Sequence, residues 1–166
     1  MRHRVKENVW DYPRPPRLER FAGSVRIEHA GIELVQATEA YRVLETSHPP
    51  TYYLPLASLT GAARAALRPS RRQVTACEWK GLASYLDLQL PGQRPLQAVA
   101  WTYEAPRRTF AALRGHLAFY AAQLDLCEVD GERVVRQAGD FYGGWITSWI
   151  QGGERGFKGA PGTWGW

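Results

Sequence analysis

The chain has 166 residues, of which 45% are hydrophobic and 22% charged. That balance excludes global disorder and suits one domain with a core of its own. The net charge is +5, but basicity alone supplies only the non-specific part of nucleic-acid binding, and no apolar run is long enough to cross a bilayer.

Residues 1 to 20, with Arg2, Arg4, Lys6, Arg14, Arg17 and Arg20 among Pro13, Pro15 and Pro16, read as an extended arm. They contain no apolar stretch of a secretory signal, so a cytoplasmic location is expected. Trp10 and Tyr12 argue that the arm docks. Val25 and Ile27, then Ile32 and Leu34, alternate around His29-Ala30-Gly31 and predict a hairpin. Tyr41, Val43 and Glu45 give a third strand, closed by His48-Pro49-Pro50. Thr51 to Leu54 gives a fourth, ending at Pro55. Ser58 to Leu67 is alanine-rich at helical spacing, with Ser58 or Thr60 as cap and Pro69 as terminator. Gln73–Trp79 and Ala83–Leu90 flank a turn at Lys80-Gly81, and Gln97–Glu104 returns as a strand after Pro91-Gly92. Arg107 to Leu126 fits a long helix by spacing, yet Gly115 interrupts it and His116–Tyr120 reads equally as a strand. Asp130-Gly131 is the strongest hairpin signal. Without a βαβ rhythm, a doubly wound nucleotide fold is disfavoured.

Gly139 to Trp166 holds nine of the sixteen glycines and four of the seven tryptophans. It is too aromatic for a linker and predicts a tail wrapped on the domain or on a partner subunit, its tryptophans filling grooves. The expected organisation is therefore an arm over 1–20, a β domain over 21–138 and a packed tail over 139–166.

Few residues are candidates for chemistry. Lys80 is one of three lysines against eighteen arginines. At a hairpin tip between aromatic strands it suits anion binding, a tuned base or a Schiff base, or is a solvated turn residue. Cys77 is a nucleophile candidate or a small strand core residue. Glu45, if inward, must meet a partner such as Lys80, an arginine or a tyrosine hydroxyl. His48 reads as a turn residue beside its prolines and a candidate ligand contact. Tyr53, Trp101, Tyr103 and Tyr120 combine apolar faces with polar tips; Tyr52 and Tyr53 must project to opposite sides of their strand. Cys77 and Cys127 lie far apart, no CxxC pair occurs and the four histidines are scattered, so no disulfide, metal or cofactor is expected. Gly156 to Gly162 lacks the GK[ST] ending of a phosphate loop and is taken as structural.

The ordered blocks Glu45-x-x-His48-Pro49-Pro50-Thr51-Tyr52-Tyr53-Leu54-Pro55, Thr75-x-Cys77-x-Trp79-Lys80-Gly81-x-Ala83-x-Tyr85, Trp101-x-Tyr103-x-x-Pro106 and Gly115-x-Leu117-Ala118-Phe119-Tyr120 resemble the domain of unknown function family 427, also given a nucleotidyltransferase-type label. The resemblance spans about Gly23 to Val135, and the tail resembles that of a bacterial subgroup. It implies a mainly β fold of coiled antiparallel sheets like the β-tent (Mss4-like) group, with one or two short helices, a short helix before Gly115 and a strand after it. This chain has Ala57-Ser58-Leu59 where the family commonly has an acid, and Glu78 where it commonly has proline. No paired carboxylates follow a Gly-Ser turn, so the residues do not support the nucleotidyltransferase label.

The leading reading is a small-molecule-binding or enzymatic domain with an aromatic cleft between sheets. Glu45, Lys80 and Cys77 are its candidates for chemistry, and Tyr53, Trp101, Tyr103, Tyr120 and His48 its candidate ligand contacts. The alternatives are a nucleic-acid-binding module using Arg64, Arg68, Arg71 and Arg72 with exposed aromatics, and a homodimer joined through its tail.

Overall fold

A computed structural model describes residues 3–166; Met1 and Arg2, the start of the expected arm, lie outside the described residues. The chain forms β1 (Glu7–Asn8), β2 (Arg17–His29), β3 (Ile32–Leu44), β4 (Thr51–Pro55), helix α1 (Gly61–Ala66), β5 (Leu67–Pro69), β6 (Thr75–Cys77), β7 (Gly81–Leu88) and β8 (Leu96–Thr102). There follow β9 (His116–Phe119), β10 (Leu126–Val129), β11 (Glu132–Arg133), β12 (Val135–Arg136), β13 (Trp145–Ile146) and β14 (Ile150–Gln151). The molecule is mainly β, with antiparallel ladders that do not close into a barrel. Ten strands form one sheet in the order β11-β10-β2-β3-β4-β9-β8-β7-β5, with β6 pairing β7. The pairing of β4 with β9 joins the β2–β3–β4 ladder to the β9–β8–β7 ladder.

The β2–β3 hairpin turns at Ala30 and Gly31, with φ of 51° and 75°. Both are left-handed, as a two-residue turn matched to strand twist requires. Asp130 and Gly131 repeat the device between β10 and β11. The strand expected from Tyr41 is the far half of β3, not a separate element. The hairpin register shifts between Ala22 and Val25, and opposite it Thr38 and Glu39 are both exposed. A bulge slips the inward phase without breaking the strand. Helix α1 is capped by the Thr60 hydroxyl, which accepts from the Ala63 N–H at 3.2 Å. It ends at Ala66, one residue before the expected Leu67, because Leu67–Pro69 pairs with Leu86–Leu88 as β5. Arg108–Leu113 is a 3-10 segment and His116–Phe119 a strand, which settles the ambiguous stretch as the resemblance implied.

Period-two alternation sends side chains to two cores. Tyr52, Leu54, Leu117 and Phe119 join the larger core, while Tyr53, Ala118 and Tyr120 join the second with Tyr85, Trp101 and Tyr103. The arm and the tail complete the larger core. Val9, Tyr12, Trp145, Trp149 and Ile150 are buried within it. Trp145 stacks on Tyr52 at 5.4 Å and donates from Nε1 to the Phe119 carbonyl at 3.1 Å. Strand β1 pairs in parallel with β14, and Trp10 donates to the Gly156 carbonyl at 2.9 Å. Buried Arg42 fastens the arm to the sheet by pairing with both Glu7 and Glu19. Trp164 is the exception among the tail tryptophans, 89% exposed and filling no groove of its own chain.

Candidate functional site

The second core does not fill its space. It borders a half-open cavity of about 420 Å³ lined from six parts of the chain. The β4 strand turns Tyr53 inward, and the corner before it supplies Glu45 and His48. The β6–β7 hairpin supplies Cys77 and Lys80. Trp101 on β8, Tyr103 just after it and Tyr120 after β9 form the aromatic wall. All eight residues singled out in the sequence therefore line one cavity. Their convergence follows from strand order, since β4, β9, β8 and β7 are consecutive neighbours.

The hairpin places the charge. Residues 78–80 form the turn, Gly81 takes φ +114°, and a Cβ there would stand 3.4 Å from the Ala105 carbonyl oxygen. Lys80 folds back so that its Nζ donates to Cys77 Sγ at 3.1 Å and lies 5.8 Å from the Tyr103 ring. Among the described residues no carboxylate lies within 4.0 Å of that ammonium. Burial pulls the Lys80 pKa down, but interactions with its neighbours, the Cys77 hydrogen bond and the Glu45 carboxylate among them, outweigh it and leave the pKa raised. Lys80 is thus held as an ammonium. Of the roles open in the sequence this favours anion binding over a free-amine base or Schiff-base former.

Glu45 meets the arginine class of expected partner: Arg14 Nη2 lies 3.2 Å from its carboxylate, and His48 Nε2 lies 3.6 Å away. His48 is more than a turn residue. Its ring is buried and receives the Gln137 amide N–H on Nδ1 at 3.2 Å, which assigns the ring proton to Nε2, facing Glu45. Burial first, and then the charges of Lys158, Arg14 and Lys80, lower its pKa to about 3. The ring is neutral across the physiological range. Burial raises the pKa of Tyr53, Tyr103 and Tyr120, so their hydroxyls remain protonated donors. Trp101 Nε1 donates to Tyr53 Oη at 3.3 Å, and Tyr120 Oη donates to the Phe141 carbonyl at 2.8 Å.

Sequence reasoning missed the roof. Arg14 comes from the arm; Gln137, Tyr142, Gly143, Lys158 and Trp166 come from β12 onwards. The only signal was the aromatic density of the tail, which does not say what the tail covers. Gly143 lies flat on the Trp101 ring, where a Cβ would collide with it. Tyr142 packs edge-on to His48 at 4.7 Å.

The family model of the domain of unknown function (DUF427) matches residues 17–130. The chain belongs to this family. The model's name carries a nucleotidyltransferase-type label. A search of curated proteins finds no match. The DUF427 match covers the strands that carry Tyr53, Cys77 and Trp101 and the turn that carries Lys80, but stops before the roof residues Gln137 to Trp166. Among the described residues no three His, Cys, Asp or Glu side chains group to hold a metal, both cysteines are free, and no helix is long and apolar enough to cross a membrane.

Proposed function

We propose that this DUF427 domain binds a small organic anion in the aromatic cavity, with Lys80 anchoring the negative group. The observation that carries this reading is the Lys80 ammonium itself. It is half-buried among tyrosine and tryptophan rings, with no carboxylate within 4.0 Å among the described residues, beside about 420 Å³ of space. The hydrogen-bond acceptor of this ammonium is the Cys77 sulfur, a weak one, and a ligand anion would supply a stronger, charge-assisted partner. The cavity falls within the size range of small-molecule sites, and its flat walls suit a planar apolar body. Glu45 and Arg14 pair with one another and the Lys158 ammonium donates to the Trp166 carbonyl, which leaves Lys80 as the cation open to the ligand.

Benzoate and its neutral isostere benzamide test this. Titrations followed by the Trp101 indole N–H resonance should show benzoate binding about ten- to a hundredfold tighter, the worth of one charge-assisted hydrogen bond. Lys80→Met should abolish the difference. Equal binding of both probes in the unsubstituted chain, or binding that leaves the Trp101 signal unmoved, would overturn the reading.

A further inference from the structure

Resting on the anion-binding reading, we propose that the cavity also does covalent chemistry. Cys77 is its nucleophile and Lys80 the proton donor, and the ligand class is a small anion bearing an electrophilic carbonyl. Two free cysteines occur, and they differ in every respect that matters. Cys127 is 4% exposed inside the larger core, and burial pushes its thiol up to about 12. Cys77 is half-buried and lines the cavity. Its sulfur already accepts a hydrogen bond from the Lys80 ammonium at 3.1 Å. An ammonium within reach of a sulfur that opens onto a ligand-sized space is the arrangement that activates thiols towards electrophiles.

The hairpin explains why the two side chains meet. Cys77 pairs with Gly81 across the β6–β7 ladder, so Lys80, one residue before that pair, turns back over the sulfur. A carbonyl carbon joined to Sγ would carry its oxygen towards the same Nζ. The protonated hydroxyls of Tyr53 and Tyr103 line the same wall. Donors gathered around a sulfur suit an oxygen that gains negative charge as the carbon is attacked.

The step balances without an oxidant or reductant. A sulfur lone pair forms the S–C bond, and the C=O π pair becomes a lone pair on oxygen. The oxygen takes a proton from the Lys80 ammonium, and the amine recovers the proton that the thiol gives up. The product is a hemithioacetal, reversible by the same path.

The test uses the full chain and 3-formylbenzoate carrying ¹³C at its formyl carbon, whose carbonyl and carboxylate oxygens can both reach one ammonium, with benzoate as the non-covalent control. In the unsubstituted protein the ¹³C resonance should move from the aldehyde to the tetrahedral region, and 3-formylbenzoate should bind about tenfold or more tighter than benzoate. Cys77→Ala should remove the adduct and make the two affinities equal while benzoate still shifts the Trp101 indole. Cys77→Ser gives a second variant of near-native size, with the same outcome expected. An adduct that survives in both variants would overturn the proposal, as would an imine signal placing the carbon on Lys80. Binding of both probes with no adduct also overturns it and leaves the anion-binding reading standing. Absence of binding by either probe overturns both.

Discussion

His48→Gln isolates an electrostatic feature of the cavity that a stability measurement can read. The imidazole is buried beside Gln137 and within the field of Lys158, Arg14 and Lys80, and its pKa is lowered from 6.5 to about 3. The unfolded chain therefore binds a proton on this side chain at a pH where the folded chain refuses it. The contribution is fully present above about 6.5 and is lost progressively as pH falls towards about 3. Between pH 7 and pH 4.5 the linkage amounts to about 2.5 kcal/mol, at about 1.36 kcal/mol for each unit of the interval in which only the unfolded state is protonated. Urea denaturation at the two pH values measures it directly. The unsubstituted chain should lose about 2.5 kcal/mol more than His48→Gln on acidification, since carboxylates elsewhere titrate in both. Equal losses in the two proteins would refute the argument that the cavity keeps this ring neutral.

Two further predictions concern the tail. Trp145→Ala removes a buried indole and the donor to the Phe119 carbonyl; it should cost about 3–5 kcal/mol in urea denaturation with an unchanged slope, and a loss below about 1 kcal/mol would show that the tail is not part of the core. Gly143→Ala drives a methyl into the Trp101 ring and close to Tyr120. It should lower benzoate affinity about tenfold, whereas unchanged affinity would mean that the roof does not shape the site.

Much of the sheet was legible because alternation is a local signal. Thr51 to Pro55 reads as a strand, and the opposite facing of Tyr52 and Tyr53 follows from its pleat, which the two cores display. Asp130-Gly131 marks its hairpin by chemistry alone. The break placed within β3 came from a bulge whose partner lies across the hairpin at Ala22–Val25, a signal no single segment carries. The expected helix ran one residue too far because Leu67 suits a helix as well as a strand; pairing with Leu88 decides it.

The eight candidate residues were readable as chemistry-bearing side chains on aromatic strands, and the consecutive order of β4, β9, β8 and β7 gathers them. What composition could not supply was the closure. Arg14 and Lys158 are brought to the cavity by long-range contacts with the corner before β4, Thr46 accepting from Arg14 and Ser47 from the Lys158 N–H, and β1 and β14 join arm to tail through a ladder of only two residues from each strand, far too short to announce itself. The tail aromatics likewise did not distinguish Trp145, which is buried, from Trp164, which is not.

The central claim is that Lys80 waits in an aromatic cavity for an anion. Benzoate titration of the unsubstituted chain and of Lys80→Met, followed at the Trp101 indole N–H, tests it most directly. Saturable shifts with a preference for benzoate over benzamide of about tenfold or more, lost in Lys80→Met while the variant keeps its fold, are the predicted result. A Lys80→Met protein that binds benzoate as well as the unsubstituted chain would contradict the account.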